Sequence, residues 1–295
     1  MAKVLIIGAG PAGISAALYA RRGGMEVTVI SRGPKTGGLA KAHLIENYYG
    51  LEEPVSGAEL ARRGIAGAKR LGVKFVEADV MGLVFKEDFS GFRAETGKRN
   101  FEADSVILAA GASRSSLSIP GIKKFEGRGI SYCAVCDAFF YRGKTVAVIG
   151  AGEYAIHEAR TLLPHAAKAI LLTNGEEPPT DIPEGLAVCK KKLKSVDGAQ
   201  RAERVQFADG TFQETDGIFL ALGTAGSTEL ARKMGILLDG SSIKTDERMA
   251  TNIPGVFAAG DCTGGMLQVA KAVYEGAEAG LAAVKFLREK NQSMK

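Results

Sequence analysis

Cys133-Ala134-Val135-Cys136 is the segment of this sequence best equipped for chemistry. Two residues between cysteines permit a strained, easily reduced disulfide and a thiol of low pKa. The competing use is half of a zinc site, which needs a second ligand pair at suitable spacing. Cys189 and Cys262 stand alone and the three histidines are scattered, so redox exchange is the better reading. The start of the chain supports it. One lysine is followed by an apolar strand and a glycine turn over residues 4–8, too short and wrongly ended for a secretory signal. A cytoplasmic protein is expected, where cysteines serve catalysis or metal binding more than structural cross-linking.

A redox disulfide needs an electron carrier beside it, and the glycines point to one. Gly8-Ala9-Gly10-Pro11-Ala12-Gly13 follows an apolar strand and opens a helix, with Ala17 four residues on. In such a turn Gly8 makes the strand-to-helix bend and Gly10 lets a pyrophosphate approach the backbone. Gly13 lets the helix lie close on the sheet, and the pyrophosphate sits on the helix N-terminus. The same pattern returns as Gly150-Ala151-Gly152-Glu153-Tyr154-Ala155, with Ala159 at the matching offset. One departure is plain: the strand after the first turn ends at Ser31 and Arg32, not at an acidic ribose ligand.

The elements that must position these residues alternate. Strand-like runs at residues 4–7, 27–30, 106–110, 146–149, 170–172 and 218–220 lead into glycine turns and helical stretches. This predicts an α/β protein with parallel sheets. Residues 75–76, 80–85 and 91–95 read as short strands of a meander, and residues 267–290 as an amphipathic helix. The paired turns make the repeat one of whole domains. Apolar residues at 46% and charged residues at 24% suit a globular protein, and 38 glycines against 9 prolines suit many tight turns. The net charge of +5 is dispersed, so nucleic-acid binding is not indicated. No run reaches the ~18 apolar residues of a membrane span. The one dense cluster, Lys190-Lys191-Lys192-Leu193-Lys194, is either a solvated strand or a docking patch for an acidic protein.

Two later segments specify the dinucleotide. Ala109-Ala110-Gly111-Ala112 and Ala258-Ala259-Gly260-Asp261 each follow a buried strand. With the opening glycine turn they resemble the three-part FAD signature of flavoproteins with two dinucleotide-binding domains, in which the last Asp binds the ribityl chain. Residues 127–141, around Cys133-Ala134-Val135-Cys136-Asp137, are similar to the redox segment of low-molecular-weight thioredoxin reductases. So are Thr36-Gly37-Gly38-Leu39, Glu46-Asn47-Tyr48-Tyr49-Gly50 and the run Gln268-Val269-Ala270, all in the family's order.

The resemblance implies two Rossmann-like, three-layer α/β domains, the second inserted in the first. The FAD domain would comprise residues 1–114 and 242–295, and residues 115–241 would form a nicotinamide-nucleotide-type insert carrying the cysteines. It implies FAD held by Gly8, Gly10, Pro11, Ala12 and Gly13, by Ser31 and Arg32, and by Gly37, Gly38, Leu39 and Asn47. Val80, Ala110, Gly111, Gly260, Asp261, Gln268, Val269 and Ala270 complete the set. It further implies a homodimer, a rotation between the domains, and thioredoxin as the disulfide partner. Cys136 would be the thiol nearest the flavin, Cys133 the one that attacks the partner, and Asp137 the acid–base group. The competing reading of Asp137 is a helix cap.

The pattern breaks at the second glycine turn. The next strand ends in Thr173-Asn174-Gly175-Glu176-Glu177-Pro178-Pro179, where the family carries a His-Arg-Arg cluster for the 2′-phosphate of NADPH. No basic residue stands between Lys168 and Lys190, and Tyr154, flanked by Glu153 and His157, takes the place of a small residue. Glu176 or Glu177, about 25 residues past the glycines, would suit the free ribose hydroxyl of NADH. The reading favoured here is a nucleotide-independent enzyme fed by ferredoxin or another donor, as in some anaerobe relatives. NADH and NADPH remain as alternatives, as do another small thiol protein as substrate and a flavin redox sensor without turnover.

Overall fold

The computed structural model describes residues 1–33, 37–97, 99–111, 119–222 and 226–293. They form two compact units, one of Met1–Ser113 with Gly226–Lys295, the other of Arg114–Ala225.

The first unit opens with strand β1 (Lys3–Ile7), helix α1 (Pro11–Arg22), β2 (Glu26–Ser31), α2 (Gly57–Arg70) and β3 (Lys74–Glu77). A meander of β4 (Val80–Phe85), β5 (Phe92–Thr96) and β6 (Phe101–Ala103) leads to β7 (Ser105–Leu108). The second unit contains α3 (Ile122–Phe125), β8 (Ile130–Ser131), α4 (Ala134–Asp137), β9 (Thr145–Ile149), α5 (Glu153–Leu162), β10 (Lys168–Leu172) and β11 (Leu186–Cys189). It continues with the meander β12 (Leu193–Asp197), β13 (Arg204–Phe207) and β14 (Phe212–Glu214), then β15 (Gly217–Leu220). The first unit resumes with α6 (Ser227–Lys233), β16 (Leu238–Asp239), β17 (Ser242–Ile243), β18 (Val256–Ala258) and α7 (Val269–Ser293).

The two units share four parallel strands in one order, β7-β1-β2-β3 and β15-β9-β10-β11, and differ in the fifth, which comes last in the first unit and first in the second. The first has a sheet ordered β18-β7-β1-β2-β3, the second β8-β15-β9-β10-β11, and every pairing in both is parallel. Each unit also places a three-stranded antiparallel meander just before its β7 or β15 strand. Residues 75–76 thus join the parallel sheet beside β2, and the meander proper starts at Val80. Near-continuous apolar runs such as Val4-Leu5-Ile6-Ile7 are buried throughout, as expected of parallel strands covered on both faces. In the first unit Val4, Ile6, Val27, Val29 and Ile107 share one core with α1 and α7, while Leu5, Ile7, Ile30 and Leu108 are buried outside that cluster. That alternation is the three-layer arrangement. Among the described residues no helix is long and apolar enough to cross a membrane.

The expected C-terminal domain boundary at 241/242 moves to 225/226, because α6 is bonded into the first unit. Its Ser227 hydroxyl accepts the Ala110 N–H at 2.9 Å, and Lys233 Nζ donates to the Met81 carbonyl at 2.9 Å. The expected boundary at 114/115 lies outside the described residues.

Helices α1 and α7 approach closely through small residues. A Cβ at Gly276 would fall 2.1 Å from the Ala12 carbonyl oxygen, and one at Gly280 would fall 2.7 Å from that of Ala16. Gly276→Ala gains up to ~1 kcal/mol of helix propensity, but the backbone contact forces the helices apart at about 1–3 kcal/mol. We expect a lower melting temperature and weaker FAD retention, read by thermal denaturation with flavin fluorescence. An unchanged melting curve would contradict this packing.

Candidate active site

The glycine turn of the first unit has the shape its sequence requires. Gly8 has a φ of +116°, and a Cβ there would lie 2.2 Å from the Ala109 carbonyl oxygen, so it is locked against the strand that leads to Ala110 and Gly111. A Cβ on Gly13 would strike the Gly8 carbonyl oxygen at 2.0 Å. Gly10, by contrast, has open space beside its α-carbon, as do Gly37, Gly38 and Gly111. Pro11 stands at the first turn of α1, which carries no acidic residue and no side-chain cap. An unblocked helix N-terminus beside a bare glycine is a cradle for a pyrophosphate.

The other expected cofactor residues converge on the carboxyl ends of neighbouring parallel strands, where ligands of such sheets bind. Gly260, after β18, would meet Ala12 Cβ at 2.9 Å if it carried a Cβ of its own. Asp261 begins a short 3-10 helix, Asp261–Thr263. Asn47 Nδ2 donates to Gln268 Oε1 at 3.1 Å, joining two expected residues far apart in the chain. Val269 and Ala270 open α7, and Leu39 opens the 3-10 helix Leu39–Lys41. Val80 starts β4 and is buried. Ser31 ends β2, and the Arg32 guanidinium lies 3.5 Å from Asp79. Glu77 pairs in register with Ser31 across β2 and β3, and its carboxylate lies 3.1 Å from where a Gly33 Cβ would be. A carboxylate therefore does reach the end of β2, from the adjacent strand. Thr36 and Ala112 lie outside the described residues. The arrangement fits FAD.

Sequence reasoning missed what holds the Gly260-Asp261 turn. Lys271 Nζ donates to the Gly260 carbonyl and to Thr263 Oγ1, each at 2.9 Å, and lies 3.1 Å from Glu275 Oε2. The same carboxylate oxygen accepts the Gly260 N–H at 2.8 Å. Both side chains are nearly buried, and the mutual pairing is what makes two charges tolerable there. Cys262 is buried under this turn, and burial pushes its thiol up to about 11, which makes it inert. Among the described residues there is no group of three or more His, Cys, Asp or Glu that could hold a metal ion.

In the second unit Cys133 and Cys136 are joined as a disulfide across α4. Cys133 is 5% exposed, whereas Cys136 is exposed. The first N–H groups of a helical turn have no partners within it, and here side chains take three at the start of α4. The Cys133 N–H donates to Ser131 Oγ at 3.1 Å, that of Ala134 to Glu158 Oε2 at 2.8 Å, and that of Cys136 to Cys133 Sγ at 3.2 Å. Asp137 closes the turn, its N–H bonded to the Cys133 carbonyl. Burial, and after it the Asp137 charge, push the Tyr141 phenol above its ordinary range. Val135, Phe139 and Phe140 are exposed around Cys136, an apolar surface beside the sulfur that faces out. Glu158 escaped sequence reasoning too. Its signal is a charge on the buried stripe of α5, with Ala155, Ile156, Ala159 and Leu162.

The second glycine turn differs from the first. Its helix α5 begins with Glu153, an exposed carboxylate in the first turn. The Tyr154 ring is only 2% exposed, so it belongs to the interior rather than standing over the glycines. Past β10, Glu176 and Glu177 are exposed, and the fold brings Lys190 from the end of β11 onto Glu177 as a surface ion pair. Lys191 is likewise engaged, 2.9 Å from Asp209, and with Thr211 holds that carboxyl well below the usual range. The lysine run is partly neutralised by its own neighbours.

Comparison with known proteins agrees with this geometry. The family model for pyridine nucleotide-disulphide oxidoreductases matches residues 2–276. The chain is 32% identical to a thioredoxin reductase of Listeria monocytogenes, over 99% of this chain and 95% of that one. Its fold is similar to that of the atypical thioredoxin reductase TRi from Desulfovibrio vulgaris Hildenborough, with a TM-score of 0.91, 39% identity and coverage of 98% and 99%. It is also similar to a ferredoxin-flavin thioredoxin reductase from Clostridium acetobutylicum, with a TM-score of 0.73, 32% identity and 98% of each chain covered. Paired parallel-sheet units, an FAD cradle and a redox disulfide therefore have one explanation: the chain belongs to the pyridine nucleotide-disulphide oxidoreductases, as an FAD-binding flavoprotein of the thioredoxin reductase type.

Proposed function

We propose that this enzyme reduces a thioredoxin through Cys133 and Cys136, with electrons from a donor other than NADPH. The observation that carries the first half is the disulfide turn, with an apolar rim of Val135, Phe139 and Phe140 exposed beside it. Bound FAD, held by the first-unit residues above, supplies the two-electron couple. Reduction of the disulfide takes two electrons and two protons and gives two thiols. The Cys133 thiolate attacks the partner's disulfide and forms a mixed disulfide, expelling one partner thiolate. Cys136 then attacks Cys133 Sγ, re-forming the internal disulfide and releasing the second partner thiol. Asp137, adjacent in sequence to Cys136, moves the proton that each exchange requires. The exposed Cys136 is the sulfur at which electrons enter.

The donor half rests on the segment after β10, which offers two carboxylates and no guanidinium, with Lys190 already engaged by Glu177. The Clostridium relative's name pairs ferredoxin with this chemistry, and an acidic iron–sulfur protein suits a chain of net charge +5. We place the enzyme in the cytoplasm as a homodimer. The test is turnover of thioredoxin from the same organism, followed by insulin reduction, with viologen-reduced enzyme as the source of electrons. Steady thioredoxin reduction is expected. A fully reduced enzyme that leaves thioredoxin oxidised would overturn the substrate assignment.

A further inference from the structure

We propose that Glu158 is a positioning residue that makes the Cys133–Cys136 couple a stronger reductant. The proposal rests on the disulfide-reductase reading above and concerns a residue outside the site residues that the resemblance implies. Glu158 is 1% exposed, and its Oε2 accepts the Ala134 N–H at 2.8 Å. That N–H is the first of the turn that carries both sulfurs. A buried carboxylate is costly unless it is strongly bonded, and a neutral side chain would cap one N–H as well.

The effect follows from where the electrons go. Disulfide reduction leaves sulfurs that ionise, and a helical turn ordinarily lends its first N–H groups to the thiolate. Here Ser131 takes the Cys133 N–H and Glu158 takes that of Ala134, so the Cys136 N–H is the one that reaches sulfur at 3.2 Å. The carboxylate withdraws a donor from the reduced turn and sets a negative charge against the thiolate that forms. Asp137 places a second carboxyl at the other end of the same four residues. Raising the reduced state relative to the disulfide makes the couple more reducing, the reverse of a strong oxidant whose reduced form is stabilised. Glu158 itself exchanges no electron and forms no bond to sulfur.

Glu158→Gln keeps the shape and the acceptor and removes the charge. FAD-loaded wild-type, E158Q and E158D proteins would be equilibrated with dithiothreitol redox buffers, and their thiols trapped and counted by mass spectrometry. In E158Q the equilibrium should move about tenfold toward the dithiol, ~30 mV for a two-electron couple. E158D, which keeps the charge, should stay close to wild type. An E158Q equilibrium within twofold of wild type, or an equal shift in E158D, would overturn the proposal. The measurement needs no protein substrate, so it remains decisive even if thioredoxin proves not to be the partner.

Discussion

Cys136→Ser protein is expected to be yellow, folded and unable to reduce a disulfide. Cys136 is exposed, so the substitution removes little packing. The FAD cradle is built from Met1–Ser113 and Gly226–Lys295, while Cys136 belongs to Arg114–Ala225, which has its own core around Ile149, Ile170 and Ile218. The flavin spectrum should therefore match wild type. Disulfide exchange, however, needs two sulfurs in sequence, one to attack and one to resolve. With Cys133 alone, a mixed disulfide can form and then has no exit, and the internal disulfide cannot accept electrons at all. Turnover should fall on the order of 10³-fold or more, the scale on which loss of a nucleophile acts. Thioredoxin-coupled insulin reduction, run beside the flavin absorbance, reads both halves. Normal turnover with a normal spectrum would mean that the electrons leave by another route.

Much of the fold was legible because its physics is local. Glycine turns between an apolar strand and a helix occur where the chain must bend tightly, and both appear at the carboxyl ends of β1 and β9, the central strands of the two sheets. The continuous apolar runs read as parallel strands for the same reason. Side chains whose roles depend on residues distant in sequence were not legible. The reassignment of α6 to the first unit depends on a hydroxyl meeting the Ala110 N–H. Lys271 and Glu275 have the i,i+4 spacing of ordinary surface charges, yet they are drawn inward to hold the Gly260 turn. Glu158 lies inside the second glycine pattern, just before Ala159, yet nothing in its spacing says that it reaches back to the cysteines. The region after β10 reads as purely acidic along the chain, but β11 returns Lys190 to it.

That last pairing bears on the prediction with the widest consequence, the source of electrons. Mixed anaerobically with the oxidised enzyme, reduced ferredoxin is expected to bleach the flavin quickly and NADPH to do so poorly. The argument is one of charge and geometry. A 2′-phosphate is best held by guanidinium forks, which bond it bidentately. Here the loop offers Glu176 and Glu177; Lys190 lies on Glu177, and the Lys192 side chain stands against Gly175 as a lysine ammonium and not a guanidinium fork. To serve NADPH, Lys190 would have to leave that carboxylate, and the phosphate would then face both acids. Lys190 and Glu177 are both exposed, so parting them costs only about 0–1 kcal/mol, and the rest of the penalty is the like charge that the phosphate would meet. The exposed Glu153 at the start of α5 adds a further negative group near the place of the pyrophosphate. NADH escapes the 2′-phosphate penalty and keeps the other, so it should rank between the two only if Glu176 accepts its ribose hydroxyl. The three donors are compared at equal micromolar concentration by stopped-flow absorbance of the flavin band. Bleaching by NADPH within the enzyme's turnover time would overturn the reading of the second glycine turn, and fast bleaching by NADH alone would reassign Glu176 as a ribose ligand. Slow bleaching by both nucleotides with fast bleaching by ferredoxin would leave the second unit as a nucleotide fold kept for what it carries, the disulfide turn and the buried carboxylate behind it.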